Sequence, residues 1–162
     1  MATRATPRAD ALTLRTGGAR DIAAVDRLMR DAFDPAYGEA WTRNQCLGVL
    51  AMPGVGLTVA ELDDEPAGFA LTRRVCDEAE LLLLGVAPAR RRRGVGAALL
   101  RAVIAEARGV GCAVLHLEVR SGNPAASLYA DHGFHKVGER RGYYKGVGGD
   151  LHDAHSYRLA LG

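Results

Sequence analysis

Apolar and polar residues recur along this chain with two different periods, which predict a series of helices and strands. Over residues 22–33 the apolar positions lie three or four residues apart, as on a helix with one buried face. A shorter helix is predicted over residues 40–52, ending before the turn at Pro53. The helical period returns after Gly94 and continues to Gly109, where the helix is expected to end.

The segments between these helices have strand patterns. Residues 79–88 are apolar on both faces, which predicts a strand in the middle of a sheet that is covered on both sides. Residues 112–120 alternate, so that Glu118 lies on a polar face. A fourth helix is expected after Asn123, a favourable cap that precedes Pro124. Seven strands are predicted, over residues 11–17, 55–62, 66–75, 79–88, 112–120, 134–144 and 154–161.

This order of elements predicts an α/β fold, with one mixed sheet and helices on both faces. The chain of 162 residues is long enough for one domain with its own core, and no repeat or linker interrupts it. We expect a flexible leader over residues 1–10 and a single domain over residues 11–162. The first residues lack the apolar stretch of a signal peptide, and no window reaches membrane-spanning length, so a cytoplasmic protein is expected.

The charge and the cysteines exclude several classes of partner. Lys and Arg number 21 against 19 Asp and Glu, and this balance argues against non-specific nucleic-acid binding. The three cysteines, Cys46, Cys76 and Cys112, are too widely spaced for a zinc site or a disulfide framework, and buried free thiols are expected. The segment around His152 and His155 has no metal-like partner set, so no metal is expected.

A run of four arginines, Arg90 to Arg93, stands directly before Gly94 at the start of the third helix. A nucleoside-triphosphate loop is disfavoured, because its terminal Gly-Lys-Ser/Thr is absent. A dinucleotide-binding fingerprint is opposed by Leu99, which stands where a third small residue is needed. Two interpretations remain. The run is either a solvated basic surface or part of a glycine-opened loop that binds an anion, such as pyrophosphate, at a helix N-terminus.

The segment RRRGVG, Arg91 to Gly96, resembles the Arg/Gln-x-x-Gly-x-Gly signature of the GCN5-related N-acetyltransferases (GNAT). DEAELLLLGVAP, LEVRSGN, SLYADHGF, RRGYY and DAHSYRL are similar to the RimI branch of that family, the ribosomal-protein alanine N-acetyltransferases. Together these segments cover most of the chain from Asp77 onward. The resemblance implies a mixed, mostly antiparallel sheet of six to seven strands. It also implies transfer of an acetyl group from acetyl-coenzyme A (acetyl-CoA) to a primary amine, by direct attack in a ternary complex.

The resemblance also implies which residues bind acetyl-CoA. A strand would pair through its backbone with the pantetheine arm, and an N–H there would polarise the thioester carbonyl; its residues are Leu84, Gly85 and Val86. The pyrophosphate would be held by Arg91, Arg92, Arg93, Gly94, Val95, Gly96 and Ala97. Asn123 would also contact the cofactor. Because it stands six residues before Tyr129 instead of the seven of the family pattern, a helix cap is the alternative for Asn123.

Two residues match the catalytic pair of the RimI branch. Glu118 matches the glutamate that serves as general base, and Tyr129 matches the tyrosine that donates a proton to the coenzyme A thiolate. The residues by themselves are also compatible with purely structural roles. Glu118 would then pair in solvent with His116 or Arg120, and Tyr129 would only pack in the core.

The acceptor implied by the resemblance is a protein N-terminus, a ribosomal protein first of all. It would dock between the helices around Trp41 and the last hairpin near Tyr143 and Tyr144, although Trp41 is more simply a core anchor. A small-amine acceptor, such as a polyamine, amino acid or aminoglycoside, would need an acidic groove, and no acidic cluster is evident. A non-catalytic module that senses the cofactor or associates with RNA ranks third. No nucleic-acid or membrane partner is expected, and a monomer and a homodimer both remain open.

Overall fold

The computed structural model describes residues 11–162, so the expected leader over residues 1–10 lies outside the described residues. One sheet contains the seven strands of this range: β1 (Leu12–Gly17), β2 (Val55–Leu62), β3 (Glu65–Val75), β4 (Glu78–Val86), β5 (Val114–Arg120), β6 (His135–Lys145) and β7 (Leu151–Ala160). Their order across the sheet is β1-β2-β3-β4-β5-β7-β6, and every neighbouring pair is antiparallel except β4 and β5. The expected mixed, mostly antiparallel sheet is confirmed.

Four α-helices connect and cover these strands within the described range: α1 (Ile22–Ala32), α2 (Arg43–Leu50), α3 (Val95–Gly109) and α4 (Ala125–Asp131). None of them is long and apolar enough to cross a membrane. The second helix begins later than the predicted residue 40, because Thr42 and Gln45 form a capping box. The Gln45 N–H donates to Thr42 Oγ1 at 3.2 Å, and the Thr42 N–H donates to Gln45 Oε1 at 2.7 Å.

The helices divide the core into two clusters, one on each face of the sheet. Leu99 and Leu100 of α3 pack with Tyr129 of α4 and with Leu115 of β5 on one face. On the other face α1 and α2 pack against strand residues that include Phe69. The sheet is therefore covered on both sides around β4, as its apolar sequence predicts.

The leucine run of β4 contains a bulge that decides where the sheet opens. Leu71 of β3 pairs with Leu83 while the next residue, Thr72, pairs with Leu81, so that Leu82 has no partner across the ladder. Leu82 and Leu83 consequently both pack on the α1 face, whereas Leu81 lies on the α3 face. The parallel pairing with β5 ends at the same point, at Leu81 opposite Leu117, and beyond it the two strands separate.

The expectation of three buried thiols is wrong for one cysteine. Cys46 and Cys112 are buried, but Cys76 is exposed. It lies in the turn that joins β3 to β4, where its φ is 55°.

We expect Leu100→Ala to destabilise the fold by about 2–5 kcal/mol, because Leu100 is fully buried between α3 and the sheet and truncation leaves a cavity. The matched variant Leu151→Ala removes the same atoms from a side chain that is 63% exposed, and its cost should stay within about 0.5 kcal/mol. Urea unfolding of both variants measures the difference. Equal costs would contradict this description of the core.

Candidate active site

A cleft of about 980 Å³ opens where β4 and β5 separate. Glu118 is the first residue of β5 beyond the last β4–β5 pair and therefore lies near the apex of the opening. The N-terminus of α3 follows the far end of β4 and lines the same cleft. Twelve of the thirteen site residues predicted from the sequence line this cleft, and Arg93 is the exception: Leu84, Gly85, Val86, Arg91, Arg92, Gly94, Val95, Gly96, Ala97, Glu118, Asn123 and Tyr129.

The start of α3 is shaped as an anion site. Gly94 precedes the helix in the left-handed region, with φ at 77°, and Arg92 has a φ of 62°. This path brings the first turn of the helix to the cleft, where the N–H groups of Val95, Gly96 and Ala97 have no intrahelical acceptor. Such N–H groups, together with the positive end of the helix dipole, attract phosphate.

The arginine run before this helix is not a uniform solvated surface. Arg90 Nη2 lies 3.0 Å from Glu65 Oε2 in an ion pair. Arg91 Nη2 donates at 3.1 Å to the carbonyl oxygen of Ala32, at the C-terminus of α1. Two of the four guanidinium groups therefore hold the loop against the rest of the domain.

Glu118 has hydrogen-bond partners that the sequence did not indicate. The Ser156 hydroxyl on β7 lies 3.0 Å from each carboxylate oxygen, and Arg140 Nε on β6 lies 3.2 Å from Oε1. The suggested pairing with His116 or Arg120 is wrong, because His116 lies near Glu78 and Arg120 bonds to another carboxylate. Glu118 also lines the cleft, so these neighbours fix the position of its side chain there.

Tyr129 both packs in the core and lines the cleft. Its side chain is buried, and its ring meets Phe134 edge-on at 5.9 Å between centroids. Burial, and next the negative charge of Glu39, raise the pKa of this phenol well above its ordinary value. The hydroxyl therefore keeps its proton throughout the neutral pH range.

Asn123 uses both ends of its amide within the protein. Its Oδ1 accepts the Ala125 N–H at 2.9 Å, which caps α4, and its Nδ2 donates at 2.7 Å to Glu39 Oε2. The helix begins at Ala125, with Pro124 already in the helical region. The geometry therefore supports the cap that the sequence left as the alternative.

The opposite wall of the cleft is built from the segments expected to receive the acceptor. Trp41, Tyr143 and Tyr144 all line the cleft, and Trp41 also packs at the edge of the core below α1. The His152 ring lies 5.2 Å from Tyr37, so it belongs to the packing of this wall. Within residues 11–162 no group of three or more His, Cys, Asp and Glu side chains is arranged to hold a metal ion.

Opposite charges are balanced around the cleft. Its acidic lining residues are Asp34, Glu39, Glu80 and Glu118, and its basic ones are Arg73, Arg91, Arg92 and Arg120.

Three residues of the site, Glu39, Arg140 and Ser156, were not predicted from the sequence. They come from a loop and from the last hairpin, and no local pattern reports which strand neighbours a given carboxylate receives.

Comparison with known proteins agrees with this arrangement. The sequence profile of the "Acetyltransferase (GNAT) family" matches residues 22–134. The chain belongs to the GNAT acetyltransferase family. Its similarity to the [ribosomal protein bS18]-alanine N-acetyltransferase of Salmonella typhimurium is 46% identity over 83 residues, which cover 51% of this chain and 56% of that protein. Its similarity to the N-alpha-acetyltransferase RimI of Mycobacterium tuberculosis is 46% over 76 residues, 46% of each chain. The matched segments thus span about half the length of these curated relatives.

Solved GNAT structures share the whole architecture. The ribosomal-protein-S18-alanine N-acetyltransferase of Escherichia coli superposes with a TM-score of 0.84 and 31% identity, over 93% of this chain and 94% of that one. The YncA acetyltransferase of Salmonella typhimurium, solved with its cofactor acetyl-CoA, shares the fold with a TM-score of 0.76 and 24% identity, over 94% of this chain and 95% of that one.

We expect the free energy of unfolding to fall as the pH rises above about 10, because unfolded tyrosines ionise there while Tyr129 and Tyr144 stay protonated in the fold. For both phenols burial is the main reason that the folded pKa is raised. The double variant Tyr129→Phe/Tyr144→Phe should flatten this fall by about 1.4 kcal/mol per pH unit for each tyrosine removed. Urea unfolding at pH 9 and pH 11 measures the slope. An unchanged slope in the double variant would contradict the assignment.

Proposed function

We propose that this protein transfers the acetyl group of acetyl-CoA to the N-terminal amine of a protein, by direct attack in a ternary complex. The observation that carries the proposal is the single cleft that joins the N-terminus of α3 to Glu118 and Tyr129. The names of the relatives add the acceptor class, since two of them, 46% and 47% identical over about half of this chain, are named [ribosomal protein bS18]-alanine N-acetyltransferases.

The residues at the far end of β4 fit acetyl-CoA. Beyond Leu81 one edge of β4 is released from β5, so Leu84, Gly85 and Val86 can offer backbone groups to the amide-containing pantetheine arm. The first turn of α3 offers its N–H groups to the pyrophosphate, with Arg92 beside them. Gly85 also lets the Phe69 ring pack on the strand, since a Cβ there would lie 2.7 Å from Phe69 Cε1.

The chemistry of acetyl transfer assigns a role to each polar group at the apex. An N-terminal ammonium has a pKa of about 8, and Glu118 takes its proton, directly or through water, so that the amine nitrogen can attack the thioester carbonyl. The new C–N bond forms as the C–S bond breaks, and the departing thiolate takes a proton from the Tyr129 hydroxyl. The attacking nitrogen gives up its second proton, which returns to Tyr129 through water, and the proton on Glu118 leaves to solvent, so that the products are a neutral amide and the coenzyme A thiol. Ser156 and Arg140 fix the position of the Glu118 side chain at the apex.

The balanced charge of the cleft favours a protein N-terminus over a polyamine. Four carboxylates and four guanidinium groups line it, so a ligand with several positive charges gains little there. An RNA-associated role finds equally little support, since Arg90 and Arg91 are directed to Glu65 and Ala32.

We expect peptides that begin with Ala or Ser to be acetylated at their α-amine, with spermine and free lysine as poor acceptors. Glu118→Gln should lower the rate by about 10²–10⁴-fold, the usual contribution of a general base. The control Glu78→Gln changes a strand carboxylate that is 63% exposed, and it should keep the wild-type rate. Mass spectrometry of the products, with acetyl-CoA as donor, measures both effects.

The result that would contradict the proposal is equally specific. Acetylated spermine or lysine, with unmodified peptides, would assign the protein to small-amine acceptors. Saturable binding of acetyl-CoA without any product would instead support a sensing module.

The proposed pyrophosphate site predicts that Gly94→Val weakens acetyl-CoA binding at least tenfold. A β-branched residue strains the backbone at a φ of 77° and displaces the first turn of α3. Gly111→Val is the matched control, because Gly111 also has a positive φ, of 85°, but lies beyond the other end of the same helix. Isothermal titration calorimetry should show weaker binding only for Gly94→Val. Equal affinities of the two variants would place the pyrophosphate elsewhere.

A further inference from the structure

Glu39 is a largely buried carboxylate that takes no part in the proposed acetyl transfer. It lies in the loop between α1 and α2 and lines the cleft, yet its side chain is only 10% exposed. Oε1 accepts a hydrogen bond from Arg120 Nε at 2.7 Å, and Oε2 accepts one from Asn123 Nδ2, also at 2.7 Å. A charge with so little exposure is stable only because both oxygens are paired.

The two partners of Glu39 belong to the segment that carries the proposed catalytic residues. Arg120 is the last residue of β5 and stands two positions after Glu118, while Asn123 caps the helix that carries Tyr129. The carboxylate thus joins the α1–α2 loop to the end of β5 and the start of α4. β5 has already left β4 at this point, so the β4–β5 ladder no longer holds it.

The loop that carries Glu39 is itself held from the other side. The Arg120 guanidinium stacks over the Tyr37 ring at 3.7 Å, next to the pair with Glu39. The Val147 N–H of the β6–β7 hairpin donates to the Pro35 carbonyl at 3.2 Å. Gly146 passes so close that a Cβ there would lie 1.8 Å from the Ala36 carbonyl oxygen. Glu39 is therefore presented by a packed loop and not by a free one.

The charge of Glu39 also reaches both phenols of the cleft. After burial, it is the next cause that raises the pKa of Tyr129 and of Tyr144. All three groups line the cleft.

We infer that Glu39 is a positioning residue for acetyl transfer, whose carboxylate holds Arg120 and Asn123 so that Glu118 and Tyr129 face one reaction centre. This inference rests on the proposed function. It assigns to the α1–α2 loop a direct part in aligning the general base and the proton donor, in addition to forming a wall for the acceptor.

The hydrogen-bond pattern supplies a sharp test. In Glu39→Gln the new amide can still accept from Arg120, but its NH₂ group then faces the NH₂ group of Asn123. Asn123 must either lose this bond or turn over, and turning over removes the oxygen that caps the Ala125 N–H. Combining Glu39→Gln with Asn123→Asp reverses donor and acceptor, keeps the total charge and restores every bond.

The experiment compares wild type, Glu39→Gln, the double variant, and the control Glu61→Gln. Glu61 also pairs with an arginine, Arg15, and is partly buried, but it lies on β2 outside the cleft. We expect Glu39→Gln to lower kcat for an Ala-initiated peptide at least tenfold, with the Kd of acetyl-CoA within threefold. The double variant should recover at least a third of the wild-type kcat, and Glu61→Gln should keep it.

A second readout does not depend on activity. Hydrogen–deuterium exchange of residues 121–131 should become faster in Glu39→Gln and return toward the wild-type rate in the double variant. Wild-type kcat in Glu39→Gln, or unchanged exchange of residues 121–131, would overturn the inference. A loss of activity in Glu39→Gln that is fully explained by a lower melting temperature would also overturn it. If the wild-type protein acetylates no acceptor, the proposed function fails, while the exchange experiment still decides whether Glu39 holds this segment.

Discussion

β4 and β5 pair over only four residues, and the geometry of the cleft follows from where that pairing stops. Parallel neighbours in a sheet normally continue side by side. Here the bulge at Leu82 changes which face of the sheet the following residues of β4 point to, at the point where the pairing with β5 ends. The separation places a carboxylate at its apex and a helix N-terminus at the end of β4. It also leaves the facing edges of β4 and β5 outside any ladder beyond Leu81 and Leu117, in the interior of an open seven-stranded sheet.

A cleft that interrupts a sheet has to be held in shape by contacts from outside the ladder. Three kinds of contact do so here. Arg91 ties the loop before α3 to the end of α1, Glu39 ties the α1–α2 loop to the end of β5, and the β6–β7 hairpin packs on that loop. Each contact connects residues that are far apart in the chain, so the site depends on the whole domain and not on a local motif.

The sequence predicted the parts whose signals are local. Helical periodicity located α3, strict alternation put Glu118 on the polar face of β5, and Gly94 marked the start of α3. The partners of Glu118 and the role of Glu39 could not be predicted in this way. Ser156 stands 38 residues from Glu118 and Asn123 stands 84 residues from Glu39, and single-sequence patterns carry no information on such pairs. The bulge in β4 could not be predicted either, because four consecutive leucines show no alternation of polar and apolar residues that a bulge would interrupt.

In the function proposed above, the released edge of β4 and the first turn of α3 together bind acetyl-CoA. Hydrogen–deuterium exchange with and without saturating acetyl-CoA tests it most directly. We expect slower exchange at residues 82–86 and 94–98, with no change at residues 78–81, which are already paired with β5. Protection confined to other segments, or no protection despite saturable binding, would contradict it.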